Sequence, residues 1–308
     1  MNDTRRLQQR LRLFDAVTIV SGSMIGSGIF FALSIMAETV QTPGILIGLW
    51  IFGGVFTLLG AMSFAELAAM HPHAGGQYVF LREAYSDFWG FLFGWTQFLV
   101  IQTGFNAAVA IAFAKYLGSL VPRLGEANRL LTIPLGDLLP SGIQAGVPDC
   151  LRHLEINSAQ MVACGVIAVL TAVNIRGVRE GAFVQNLFTV LKVLALGALI
   201  VAGLSRASDV SHFLPLVEPI PGPRVAMTSG EGVLQTAFLA GLAVALSKAL
   251  FAYDAWNTVT FVAEEVHDSR RTLPRALLLG SLLVAVIYVL ANLAYLAVLP
   301  IGEIAAVP

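Results

Sequence analysis

Hydrophobic residues run in long blocks along this sequence, and polar residues gather in the stretches between them. Five blocks, Ala16–Ala37, Gly44–Ala65, Phe88–Ala114, Ile156–Ile175 and Ala276–Gly302, contain no Asp, Glu, Lys or Arg. Two more are apolar apart from a few charges: Ala182–Ser205 holds Lys192, and Gly232–Ala263 holds Lys248 and Asp254. A helix needs roughly 20 apolar residues to cross a hydrocarbon core of about 30 Å, and every block reaches that length. Strands of a membrane barrel would instead alternate over about ten residues. The pattern therefore predicts an all-α integral membrane protein with seven transmembrane helices.

Composition sharpens the picture. Hydrophobic residues make up 57% of the 308 and charged residues 12%, whereas about 25% charged is usual for a soluble chain. A net charge of −1 excludes a polybasic nucleic-acid binder. Cys150 and Cys164 are too few for a disulfide framework. The first apolar block exceeds a signal-peptide core and lacks a small-residue cleavage site, so no cleaved leader is expected. Arginines set the orientation. With the N-terminus inside, the short inner segments hold Arg5, Arg6, Arg10, Arg12, Arg82, Arg176, Arg179, Arg270, Arg271 and Arg275. The longer outer loops hold Arg123, Arg129, Arg152, Arg206 and Arg224. The expectation is a multi-pass protein of the plasma (inner) membrane, with residues 1–12 cytoplasmic and the whole of 1–308 forming one membrane domain. Gly118–Glu155 and Arg206–Glu231 read as outer loops capping the bundle.

Two blocks carry the marks of an interrupted helix. Between Ser21 and Gly28 stand three glycines and three serines. Glycine is a weak helix former, and serine can bond backbone groups outside helical geometry. The same residues also suit close packing, since Gly22 and Gly26 form a small-xxx-small pair. The sixth block breaks its apolar run with Tyr253, Asp254, Trp256 and Asn257. A carboxylate at that depth usually faces a polar cavity or a partner. Asp254 could pair with Lys248 or contribute to a site. Blocks one and six are five apart, so they cross the membrane in opposite directions. Discontinuous helices at matching places of inverted halves point to a transporter's central site. There, helix N-termini accept carboxylates and freed carbonyls accept ammonium groups.

At these residues the chain resembles an amino acid permease of the amino acid–polyamine–organocation superfamily, close to its L-type and cationic amino-acid transporter branches. Four stretches carry the resemblance: GSMIGSGIF at Gly22–Phe30, SFAELAAMHPHAGGQYVFLREAY at Ser63–Tyr85, VQNLFTVLKVLAL at Val184–Leu196, and LFAYDAWNTVTFVAEEVHDSRRTLPRAL at Leu250–Leu277. It implies a fold of two inverted five-helix repeats plus two further helices. Residues 16–205 would form the first repeat and 232–302 the first two helices of the second. The chain stops at Pro308, where such a fold would continue, so the resemblance implies a C-terminally truncated form, with room for a separate chain to supply the missing helices.

The resemblance also assigns roles. Ile25, Gly26, Ser27 and Gly28 match an unwound segment that binds the substrate carboxylate. The carbonyls of Met24 and Phe251 match acceptors for the ammonium group. Trp256 and Asn257 match side chains lining the sixth-helix break, and Phe251 an aromatic gate. Asp254, where animal L-type members usually have glycine, would be an extra anionic partner or a water-bridged gate residue. Lys192 lies about 15 Å along its helix from Ala182. It matches a lysine that takes the place of a sodium ion in sodium-coupled relatives, either cycling a proton for coupling or bracing carbonyls as a permanent charge. Lys248 departs from the family pattern.

The expected function is secondary active transport of amino acids by alternating access, proton-coupled or by exchange. The alternatives are a fragment that folds or binds without transporting, and a seven-helix receptor-like protein. The latter usually has an outside N-terminus. Within the spans there is no HExxH pair, GxSxG elbow or paired catalytic carboxylates, so no enzyme is expected. No cofactor or metal is expected either; His71 and His73 lack further ligands at suitable spacing. The expected partners are an amino-acid substrate and the lipid bilayer, with no nucleic acid.

Overall fold

A computed structural model of the chain describes residues 9–134, 153–206, 213 and 231–306. Cys150, Arg5, Arg6, about half of the loop Gly118–Glu155 and most of the loop Arg206–Glu231 lie outside the described residues. Seven helices are long and apolar enough to span a bilayer: Leu13–Val40, Pro43–Met70, Asp87–Leu120, Ser158–Arg176, Val178–Ser205, Leu239–Glu265 and Ser269–Val298. They are called spans one to seven below. The seven blocks of the sequence are thus seven helices, and the protein is an all-α, multi-pass integral membrane protein.

Some boundaries move for identifiable reasons. Span seven starts at Ser269 rather than Ala276, because Arg270, Arg271 and Arg275 form its first turns, where long cationic side chains can reach a polar phase. It ends at Val298, two residues before Pro300, and Gly302 falls in a separate short helix, Ile301–Ala305. Span three contains a π-helical turn, Gln97–Ile101, just after which the Thr103 hydroxyl bonds back to the Phe98 carbonyl at 2.6 Å. The uniformly apolar sequence gives no sign of it.

The chain falls into two compact units. The first joins the residues up to Ala84 with those from Gly181 onward, and its core is built from spans one, two, six and seven with Leu196 and Ile200 of span five. Pro43 occupies the first turn of span two, where its missing N–H costs nothing. Two turns into that span, the buried Trp50 ring meets Tyr253 and Tyr288 edge-on, with both centroid separations 5.6 Å. After span two, Gly75 and Gly76 take positive φ (117° and 51°) and turn the chain into the short helix Gln77–Ala84, which buries Val79 and Phe80.

The second unit, Tyr85–Glu180, holds spans three and four. They meet through the buried small residues Ala110, Ala114, Ala159 and Ala163, as expected where helix backbones approach closely in lipid. Asn157 starts span four with a capping box, exchanging 3.0 Å bonds with Gln160. The loop between spans three and four contains an element not expected from the sequence. Strands β1, Arg129–Pro134, and β2, His153–Asn157, pair antiparallel, and Arg129 bonds Glu155 at 2.8 Å across them.

Candidate functional site

Both helices read as interrupted are broken, and the breaks lie together in the first unit. Span one is helical over Leu13–Met24, loses its ladder at Ile25–Ser27, and resumes at Gly28–Val40. Span six is helical to Ala252, turns at Tyr253–Ala255, and continues as a 3₁₀ helix, Trp256–Glu265. Gly28 marks where they touch: a Cβ there would sit 3.1 Å from the Ala252 Cα. Only a residue without a side chain lets the two breaks approach so closely.

In hydrocarbon an unpaired backbone group is expensive, so each break raises the question of where its hydrogen bonds go. At the first break, neighbouring side chains cover the carbonyls. The Lys192 ammonium donates to the Ile25 carbonyl at 2.9 Å and to the Gly22 carbonyl at 3.2 Å. The buried Tyr288 hydroxyl donates to the Met24 carbonyl at 2.8 Å. The donors are treated differently. Among the described residues the N–H groups of Gly26, Ser27 and Gly28 reach no carbonyl, that of Gly26 is directed at the Tyr288 hydroxyl, and the Ser27 side chain makes no capping bond. Gly26 and Ser27 are exposed, and nothing lies within 4 Å of a Cβ built on Gly26. The result is an uncapped helix N-terminus with open space beside Gly26, a natural anion seat.

At the second break a side chain of the break itself reaches outward. The Tyr253 hydroxyl donates to the Trp50 carbonyl at 3.0 Å, and its ring lies against Gly53 and Gly54 of span two. Ala255 adopts the left-handed region, φ 70°, which is uncommon without glycine. The Phe251 carbonyl accepts the Asp254 N–H at 3.3 Å, whereas among the described residues the carbonyls of Leu250 and Ala252 accept no backbone donor.

The structure draws most of the predicted residues to this place. Met24 and Ile25 are buried, Gly26 and Ser27 exposed, and Phe251 is 66% exposed beside the second break. Met24 and Phe251, expected as ammonium acceptors, each already hold one donor within the protein, leaving one lone pair apiece. Asp254 is exposed and its carboxylate has no hydrogen-bond or ion-pair partner among the described residues, so it does not pair with Lys248. Trp256 packs on Gly60 and edge-on to Phe64 (4.8 Å), which ties its indole to span two. Asn257 is half-buried with an unbonded side-chain amide, while its carbonyl accepts the Thr260 hydroxyl. Lys192 meets the first break, and the rest of the residue is exposed.

Sequence reasoning missed Tyr288, Tyr253 as an anchor, and a polar contact below Lys192 that joins Asp15, Thr18, Asn186 and Thr189. Their signal was present but faint. Tyr288 and Asn292 sit one turn apart in an otherwise apolar span, and Asn186, Thr189 and Lys192 recur every third residue.

An uncapped helix break between packed helices belongs to the architecture of secondary transporters, and the comparison with known proteins specifies the family. A family profile described as amino acid permease matches residues 11–307. The chain therefore belongs to the amino acid permease family, within the amino acid–polyamine–organocation superfamily. It is 31% identical to the serine/threonine exchanger SteT of Bacillus subtilis (strain 168), over 97% of this chain and 57% of that protein. It is 30% identical to Asc-type amino acid transporter 1 of Homo sapiens, over 94% of this chain and 48% of that protein. Its identity to b(0,+)-type amino acid transporter 1 of Mus musculus is 29%, over 98% and 54% respectively. The chain spans about half the length of the curated relatives it matches.

Proposed function

We propose that this protein binds the carboxylate and ammonium of an amino acid at the paired breaks of spans one and six, and serves its transport by alternating access. One observation carries the reading: at the helix N-terminus of the first break the N–H groups of Ser27 and Gly28 have no partner among the described residues and that of Gly26 has only the Tyr288 hydroxyl, with open space beside Gly26. Family membership and the names of the relatives, two amino acid transporters and a serine/threonine exchanger, point the same way.

In this reading Ile25, Gly26, Ser27 and Gly28 hold the carboxylate. The free lone pairs of Met24 and Phe251, with the open carbonyls of Leu250 and Ala252, take the ammonium. Asp254 faces the same opening as a second anionic contact, Asn257 offers its unbonded amide, and Phe251 covers the substrate. Trp256 shapes the site through its hold on span two. Lys192 couples the state of the first break to protonation or to exchange. Residues 16–205 serve as the first five-helix repeat and 232–302 as the start of its inverted counterpart, completed by helices of this or a separate chain. The arginine bias supports a cytoplasmic N-terminus in the plasma (inner) membrane.

The test is binding, which needs no full transport cycle. The purified chain is screened with the twenty amino acids by thermal shift. A ligand at 100 times its dissociation constant stabilises the folded state by about 2.7 kcal/mol if it binds only that state. A selective shift is expected, and Gly26→Leu abolishes it while leaving the ligand-free melting temperature in place, because the new side chain enters open space. A well-folded sample that responds to no amino acid, or a shift that survives Gly26→Leu, refutes the assignment.

A further inference from the structure

Span seven has 30 residues and is therefore about 45 Å long, against a hydrocarbon core of about 30 Å. Its ends reach into the headgroup layers. The N-terminal end is cationic: Arg270, Arg271 and Arg275 stand in its first two turns, and its first turn holds no acidic residue. A helix prefers negative charge at that end, so the helix alone does not favour these arginines. Their spacing makes two of them the head of a stripe. Arg271, Arg275, Leu279, Leu282 and Val286 follow one another by four, four, three and four residues, which keeps them on one helix face. All five are exposed. Leu273, Leu277, Gly280 and Val284, on the other side, are buried.

Span one brings a further cation to the same end. Leu11 bridges Val266 in parallel, and its carbonyl accepts the His267 N–H at 2.8 Å. Arg12 therefore stands beside the start of span seven. Further along, a Cβ on Gly280 would lie 2.6 Å from Val20, so the two spans run side by side. Phe14, two residues after Arg12, is exposed.

Three nearby carboxylates do little to neutralise this cluster. Asp15 accepts the Asn186 amide at 2.6 Å and the Arg12 backbone N–H at 2.8 Å. Glu264 lies 3.5 Å from His73. Asp268 reaches Arg271 only at 4.0 Å, with both side chains exposed, and such a pair contributes little. Among the described residues, Arg12, Arg270 and Arg275 have no ion-pair partner.

We propose that Arg271 and Arg275, with Arg12 beside them, hold the phosphodiester of an anionic phospholipid, phosphatidylglycerol in type, whose acyl chain lies along Leu279, Leu282 and Val286. A guanidinium fork bonds two phosphate oxygens at once, and basic clusters at span ends attract anionic lipids. The apolar continuation of the stripe selects a lipid over a soluble phosphate, which has no chain to lay against the leucines. The site is separate from the helix breaks and does not rest on the amino-acid reading.

Lipid titration tests it on the full purified chain in detergent, with bound lipid counted by native mass spectrometry. Phosphatidylglycerol and phosphatidylcholine are titrated separately, and the anionic lipid should bind about tenfold tighter or better. Arg271→Gln combined with Arg275→Gln should weaken phosphatidylglycerol binding about 25-fold, at about fivefold per arginine near the surface. The melting temperature should stay in place, since both side chains are exposed. Arg176→Gln combined with Arg179→Gln removes the same charge at the joint of spans four and five, and should change binding by less than about twofold. Glycerol 3-phosphate, which carries the phosphate without acyl chains, should not displace the lipid. Equal binding of the two lipids, an equal loss in the two double variants, or displacement by glycerol 3-phosphate overturns the proposal.

Discussion

The two breaks solve the same problem in opposite ways. At the first, outside groups come to the backbone: Lys192 from span five and Tyr288 from span seven bond the carbonyls of Gly22, Ile25 and Met24. At the second, the break sends a group out: Tyr253 reaches the Trp50 carbonyl of span two, and no outside side chain covers the carbonyls of Leu250 and Ala252. The first is thus braced from two other spans, with the N–H groups of Ser27 and Gly28 left open. The second hangs from one phenol, with its acceptors left open. Open donors beside open acceptors suit a ligand carrying both charges, because the binding groups are backbone dipoles fixed in place by their surroundings.

Substitutions at the braces should separate these roles, beginning with the largest effect. Lys192→Ala uncovers two carbonyls at once. Since a hydrogen bond from a charged group contributes about 1.5–3 kcal/mol, it should lower stability by about 2–3 kcal/mol and weaken amino acid binding at least tenfold, read by thermal melting and titration. Retained binding in that variant would break the comparison, because the first break would then not depend on its brace. Tyr288→Phe removes one neutral bond to Met24 and should cost about 1 kcal/mol, with binding altered less than in Lys192→Ala. Tyr253→Phe should cost a similar amount by freeing the second break from span two, leaving the first break intact.

Asp254→Asn sharpens the contrast further. Its carboxylate has no partner in the protein among the described residues, so thermal stability should stay within about 0.5 kcal/mol, the usual range for such surface changes, while affinity for the amino acid drops severalfold. Unaltered affinity would remove Asp254 from the site. The smallest effect is expected at Ala255, whose φ of 70° suits glycine better. Ala255→Gly should raise stability by less than about 1 kcal/mol, because relief of left-handed strain is partly offset by greater freedom of the unfolded chain.

The architecture was legible because lipid imposes a simple rule: apolar blocks of span length must be helices. The break positions were legible for a related reason. Gly and Ser clustered in one block, and Asp, Trp and Asn clustered in another, are costly in a continuous lipid-facing helix and so advertise an exception. Of what fills the gaps, only Lys192 was expected there, through the family resemblance; the other braces were not legible. Tyr288 lies 264 residues from the carbonyl it covers, and a lone tyrosine in an apolar span looks like packing. Trp256 was read as lining the break, yet its indole rests on Gly60 and Phe64. A ring beside a helix break can turn toward the opening or toward the neighbouring span, and the glycine that makes room for it stands far away in sequence. The strand pair in the loop between spans three and four was missed because its two short segments become strands only by meeting each other.

The central claim is that the N–H groups of Gly26, Ser27 and Gly28 seat a carboxylate. The most direct measurement is a solid-state NMR distance between the backbone nitrogens of Gly26 and Gly28 and the ¹³C-labelled carboxyl of a bound amino acid. Hydrogen bonding of ordinary length predicts a nitrogen–carbon separation of about 3.5–4 Å for at least one of the two glycines. Saturating binding with no dephasing at either nitrogen would contradict the account and move the substrate elsewhere in the protein.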